Sequence, residues 1–145
     1  MNHMNTTRIY RWITYVSIFG LGLALYLLWQ RLATPSFQPC SINATVNCDA
    51  VIKGPVSLTF GIPTSLYGLT GYICILIASF KKWRRVVWGV ATFGVLFCLR
   101  ITFIEIFQLH VICPVCLACQ LSMIAVWGLA TRLITMSPHV PQKVM

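Results

Sequence analysis

Long apolar stretches alternate with short polar ones along this chain. They run from about Trp12 to Leu32, Pro63 to Phe80, Val86 to Leu109 and Cys113 to Ile134. A hydrocarbon core about 30 Å thick takes about 20 residues of helix, so each stretch is predicted to cross a membrane. The pattern reads as an all-α integral membrane protein, a four-transmembrane-helix bundle forming one membrane domain over residues 1–145. One long polar segment, about 33–62, carries Pro35, Pro39, Gly54, Pro55 and Gly61 and is predicted to be a loop with at most short helical turns. The link Lys81–Arg85 is short, and that around Gln108–Ile112 is barely a turn, which makes the last two helices antiparallel neighbours. From Ser137 the chain reads as a short tail. A cleavable signal peptide is the rival account of the first stretch, but its apolar core is too long and Leu32-Ala33-Thr34-Pro35 makes a poor cleavage site, so an anchor is expected.

Charge sets the orientation. The formal net charge is +9, and Asp49 and Glu105 are the two acids. Arg8 and Arg11 precede the first stretch, Lys81, Lys82, Arg84 and Arg85 join the second to the third, and Arg132 and Lys143 follow the fourth. The opposite side keeps Arg31 and Lys53. Cytoplasmic loops carry the excess of Lys and Arg, so both termini are expected in the cytoplasm and the long loop outside. Basic residues interrupted by spans make no continuous stripe, and nucleic acid is not an expected partner; membrane lipid is.

Four cysteines change the picture from a bundle to a candidate redox protein. Cys40 and Cys48 lie in the long loop after one crossing, and Cys113 and Cys116 follow three, so an odd number of crossings places both pairs on one side whichever way the chain inserts. On the outer face of a bacterial inner membrane, or in a lumen, that side is oxidising. In Cys113-Pro114-Val115-Cys116, proline suits the first position of a helix, with Cys113 as N-cap and Cys116 in the first turn. Free N–H groups and the helix dipole there favour thiolate, which speeds disulfide exchange. A CxxC also suits metal ligation, and all four cysteines could hold a structural zinc; Cys40 and Cys48 could equally form a plain structural disulfide. Redox exchange between the pairs is the preferred reading, with no metal expected. Cys74, Cys98 and Cys119 lie among apolar neighbours and read as small hydrophobes.

Several polar residues near the outer helix ends, Glu105 and Gln120 among them, are candidates to bind a small redox partner. Glu105 is an ionisable group at membrane depth, expected to face the bundle interior, with Arg100 as a candidate partner. Gln120 follows Cys116 by four residues and shares its helix face, suiting either a contact to an electron acceptor or an interhelical hydrogen bond. Tyr67 and Tyr72 flank Gly68 and Gly71, a pattern that signals close helix packing.

Cys40-Ser41-Ile42 through Asn47-Cys48-Asp49, then Phe60-Gly61-Ile62-Pro63 with Tyr67-Gly68 and Gly71-Tyr72, then Glu105 before Ile112-Cys113-Pro114-Val115-Cys116, resembles the vitamin K epoxide reductase family in its bacterial branch. The resemblance spans about Trp12–Leu133. It implies a four-helix bundle around a quinone, ubiquinone or menaquinone, with Cys116 meeting the quinone, Cys113 as its disulfide partner, and Cys40 and Cys48 as shuttle cysteines. It also implies a thioredoxin-like electron donor; no such domain is fused after the fourth helix, so a separate periplasmic DsbA-like protein is expected. One departure concerns the quinone contact: Gly54, followed by Pro55, stands where a Ser or Thr is expected, and Ser57 close by is the expected substitute. The implied reaction oxidises the partner and so supports disulfide formation in exported proteins. Reduction of a quinone epoxide would use the same cysteines, and a non-enzymatic protein with static disulfides or zinc is the remaining alternative.

Overall fold

A computed structural model describes residues 2–33, 40–54 and 57–136. Four apolar helices, α1 (Asn2–Ala33), α3 (Thr64–Phe80), α4 (Arg84–Ile104) and α5 (Pro114–Thr135), form the bundle. A six-residue helix α2 (Cys48–Lys53) and a hairpin of β1 (Leu58–Thr59) and β2 (Ile62–Pro63) lie in the loop between α1 and α3. Three segments are long and apolar enough to span a membrane, Asn5–Ala33, Arg84–Leu109 and Pro114–Thr135. The 17 residues of α3 reach about 25 Å at the helical rise. Pro35, Pro39 and Pro55 of the expected loop, and the tail from Ser137 with Lys143, lie outside the described residues.

Apolar runs mark where a helix can enter lipid, and α1 begins ten residues before its run, at Asn2 rather than Trp12. Its polar first turns reach the opposite link, where Tyr10 donates its hydroxyl hydrogen to the Lys82 carbonyl at 3.0 Å. That link closes α3 with two bonds, Trp83 N–H to Ala78 O at 2.8 Å and Lys82 N–H to Ser79 O at 3.1 Å, around a left-handed Lys82 (φ 56°). This is the paired-bond helix ending in which the left-handed residue is usually glycine. On the other side of the molecule, Phe60 (φ 55°) and Gly61 (φ 80°) form the two-residue turn between β1 and β2, with Leu58 opposite Pro63 and Thr59 opposite Ile62. Two successive positive φ values match the right-handed twist of a tight hairpin.

Each of α1 and α4 packs against both α3 and α5, so the helices run α1–α3–α4–α5 around the bundle. The last two helices are neighbours, as their short connection predicts. Ile13, Tyr72, Ile75, Val87, Ala91, Met123 and Val126 fill the centre. Tyr72 is fully buried and donates its hydroxyl to the Cys119 carbonyl at 2.8 Å, which satisfies its one polar group. The close approach in this layer is at Gly20 of α1, where a Cβ would collide with the Tyr72 ring. It is not at Gly68 and Gly71, whose added Cβ atoms would meet nothing within 4 Å. The expected small-residue contact is therefore real but belongs to a different helix. Phe93, Leu96, Phe103 and Leu121 point outward and stay exposed, a surface suited to lipid rather than water.

Helix α4 does not end in a simple stop. Glu105–Leu109 form a π-helical turn, and His110 follows in the left-handed region (φ 53°), donating its backbone N–H to Glu105 O. Val111 N–H reaches the same carbonyl at 3.3 Å. The chain then turns into α5 within four residues.

Candidate redox-active site

Local sequence explains how each cysteine is placed. Asn47 caps α2 by accepting the Ala50 N–H on its side-chain oxygen at 3.1 Å, which fixes Cys48 in the first turn. Ser41 donates to the same Asn47 oxygen at 3.2 Å, holding the strand of loop after Cys40 against the cap. A short parallel bridge, Val46 with Ile112, then ties this loop to the α4–α5 connection. Ile112 N–H bonds Thr45 O at 2.7 Å and Asn47 N–H bonds Ile112 O at 3.3 Å. Cys48 and Cys113 each follow one residue of that ladder closely, and the ladder brings them face to face.

Cys40 and Cys48 form a disulfide, with Cα atoms 5.6 Å apart, while Cys113 and Cys116 are free thiols. Cys113 Sγ lies 3.1 Å from Cys48 Sγ. Cys113 caps α5 with Pro114 at the first helical position, and its sulfur accepts the Cys116 N–H at 3.3 Å. The Cys116 thiol hydrogen-bonds the Cys113 sulfur, and with the Cys116 and Val115 backbone N–H groups it holds the Cys113 thiol below its ordinary pKa despite burial. Lowered pKa means more thiolate at neutral pH, the form that attacks a disulfide. All three clustered cysteines are buried, with exposure 8 % at Cys40, 3 % at Cys48 and 0 % at Cys113. The sulfurs of Cys40, Cys48 and Cys113 also lie within 4.8 Å of one another, the spacing of three metal ligands; two of them are already bonded to each other here.

Beyond Cys116 a cavity of about 740 Å³, mouth included, opens between the helices. Ala24 and Leu27 of α1, Val51 and Ile52 of α2, and Phe97 and Ile101 of α4 give it apolar walls. All four residues expected to meet an electron acceptor line it: Cys116, Gln120, Glu105 and Ser57. Gln120 shares a short hydrogen bond with Thr102 of α4, so its side chain also joins two helices. Ser57 is 3 % exposed and its hydroxyl accepts from Arg31 Nη1 at 2.5 Å. Glu105 is 2 % exposed, lies within hydrogen-bonding reach of the Cys116 side chain, and has no partner for Oε1 among the described residues. Arg100, the partner expected for Glu105, is exposed on α4 and makes no ion pair with it among the described residues.

Arg31 is the main residue that sequence reasoning missed. It donates to Ile52 O at 2.6 Å and to Ser57, joining the end of α1 to the end of α2 at the cavity wall. Its signal was an arginine at a helix end on the side otherwise poor in basic residues. Cys98 and Cys119 also line the cavity rather than lying in bland apolar packing, and Cys119 Sγ approaches the Tyr72 hydroxyl at 3.7 Å.

A bundle of membrane-crossing helices with a chain of sulfurs at the mouth of an apolar cavity is the arrangement of a membrane thiol oxidoreductase. The model of the Vitamin K epoxide reductase family matches residues 11–131, and the chain belongs to that family. No curated protein matches the sequence. Proteins of the family are in general quinone-linked and usually work with a thioredoxin-like partner.

Proposed function

We propose that this protein is a membrane enzyme that oxidises a separate DsbA- or thioredoxin-like protein at the outer face of a bacterial inner membrane and passes the electrons to a quinone. The observation that carries the reading is the 3.1 Å approach of Cys113 Sγ to the Cys40–Cys48 disulfide. A reduced partner attacks the loop disulfide at Cys40, the most exposed of the three clustered cysteines. The two loop thiols then reduce a Cys113–Cys116 disulfide: Cys48 thiolate attacks Cys113, Cys116 leaves as thiolate, and Cys40 closes on Cys48. The products are an oxidised loop pair beside two free thiols, the redox state described above. In the last step Cys113 and Cys116 rejoin, surrendering two electrons and two protons.

The cavity fits a quinone in the character of its lining. Binding pockets for small molecules combine apolar walls with a few polar groups. Here Phe97, Ile101 and Leu27 would flank the ring, while Ser57 with Arg31, Gln120, and Glu105 beside Cys116 offer polar contacts. A bound quinone supplies the two-electron oxidant. The protein's residues hold it against Cys116, exclude water and place the exchanging sulfurs in order.

The test is quinone reduction by purified protein in detergent, driven by a reduced DsbA-like protein or by dithiothreitol. Cys116→Ala is expected to abolish turnover with both donors. Cys40→Ala is expected to lose turnover with the protein donor while sparing that with dithiothreitol. If Cys40→Ala is equally inactive with both, the relay order is wrong. Turnover on a quinone epoxide alone would make the protein an epoxide reductase, and stoichiometric zinc with no turnover would assign the cysteine cluster to a metal.

A further inference from the structure

Glu105 holds a position that the cysteine relay does not explain. Among the described residues its carboxyl, 2 % exposed, makes no ion pair, and Oε1 has no hydrogen-bond partner. The same side chain lines the cavity with Cys116 and lies within hydrogen-bonding reach of its side chain. A buried polar atom of this kind is uncommon and calls for an explanation, of which a catalytic role is one. The backbone beneath it is also unusual: Glu105 opens the π-helical turn, and its carbonyl takes the N–H groups of both His110 and Val111. Single π turns inside α-helices are found frequently at functional sites.

We infer that Glu105 is the proton carrier of Cys116: its carboxylate takes the Cys116 thiol proton and hands it from Oε1 to the electron acceptor in the cavity. The inference rests on the quinone reading above. In the reduced pair the Cys116 proton resides on Glu105 as a carboxylic acid. In the step concerned, the Glu105 O–H and Cys113 S–H bonds break, the Cys113–Cys116 bond forms, and one electron pair passes from Cys116 Sγ to the quinone, which becomes the quinol. The quinol gains two protons. One is the Cys116 proton, handed on by Glu105, which ends the step ionised. Cys113 gives the other to the aqueous face, and the acceptor takes its equivalent from that face through the cavity mouth. Thiolate needed for electron transfer and proton needed by the acceptor thus form together, without free charge building up in the bundle. General acid–base help of this kind is worth about 100- to 10,000-fold in rate.

The titratable groups that face Glu105 are few. Cys98 comes from α4 and Cys113 and Cys116 from the start of α5. Arg31 of α1 lines the same cavity, bonded to Ser57 and Ile52 O, and on α2 Asp49 and Lys53 pair with each other at 2.7 Å.

Two readouts test the inference on the full chain in detergent. The first is single-turnover reoxidation of the reduced Cys113/Cys116 pair by a short-chain ubiquinone, comparing Glu105→Gln with Glu105→Asp. Gln keeps size and hydrogen bonding but cannot carry a proton. It should slow reoxidation about 100-fold, while Asp stays within about tenfold of the native rate. The second needs no quinone: infrared difference spectra between dithiothreitol-reduced and oxidised protein should contain a carboxylic-acid C=O band that vanishes in Glu105→Gln. Native-rate reoxidation in Glu105→Gln overturns the inference. So does a slowing shared equally by Asp and Gln with no redox-linked carboxyl band, which would make Glu105 a packing residue. If the native protein is reoxidised by no quinone, the acceptor reading fails by itself; the band then still decides whether Glu105 exchanges a proton with Cys116.

Discussion

Cys113 joins the two halves of the site, since its sulfur touches Cys48 on one side and the Cys116 thiol and N–H on the other. Its low thiol pKa has the Cys116 hydrogen bond as its first cause, so removing that donor should raise it. The consequence is visible in exchange with the loop disulfide. Cys113 thiolate attacks Cys48, forms a Cys48–Cys113 bond and frees Cys40. The rate follows the thiolate fraction, so it rises with pH and levels off above the Cys113 pKa. In Cys116→Ser, whose hydroxyl still donates, the plateau should begin below the usual thiol range; in Cys116→Ala it should move to higher pH. Acid quenching, alkylation of freed Cys40 and mass spectrometry give the rate. Coincident profiles for the two variants would remove Cys116 as the source of the low pKa.

Between residues and fold stand short elements that make two distant segments meet. Helix α2 has six residues, too few to stand alone, and depends on its Asn47 cap and on the Val46–Ile112 bridge. Losing a cap costs about 1 kcal/mol, or about fivefold in the population of the docked form. Asn47→Ala should therefore lower the yield of Cys48–Cys113 cross-link in a Cys116→Ser background by about that factor. Yield unchanged from the Asn47 parent would mean the bridge alone sets the register. Sequence reveals such elements unevenly. Proline after Cys113 announces the α5 cap because it acts within one turn, and the apolar runs announce four helices because lipid demands continuous hydrophobicity. The Val46–Ile112 pairing depends on residues 66 apart and leaves no local pattern. Gly68 and Gly71 looked like a packing motif, yet a glycine shows only that close approach is possible; Tyr72 finds its gap at Gly20. The π turn at Glu105 has no Pro or Gly to betray it. Arg31 read as a stray charge until α2 and Ser57 were folded against it.

For the whole molecule, counting crossings and bonding geometry lead to one arrangement. Two bundle helices, α3 and α4, lie between the Cys40–Cys48 loop and Cys113, an even number that returns the chain to the same side, and the 3.1 Å sulfur contact requires the two segments to share an end of the bundle. The Tyr10–Lys82 bond ties the start of α1 to the α3–α4 link at the opposite end, where Arg8, Arg11, Lys81 and Arg85 gather. Such a charge imbalance predicts that this second end faces the cytoplasm. The proposed reaction needs that orientation, because a reducing cytoplasm would keep the loop pair as thiols and leave the partner nothing to attack. Ile42 is 72 % exposed beside the redox site, and Lys82 is exposed at the other end. A membrane-impermeant maleimide added to intact cells should label Ile42→Cys and spare Lys82→Cys until the membrane is permeabilised. The reverse pattern would place the sulfurs in the cytoplasm. Electrons would then have to leave the loop pair for a cytoplasmic thiol pool, and disulfide formation in exported proteins would no longer be a reaction this bundle could drive.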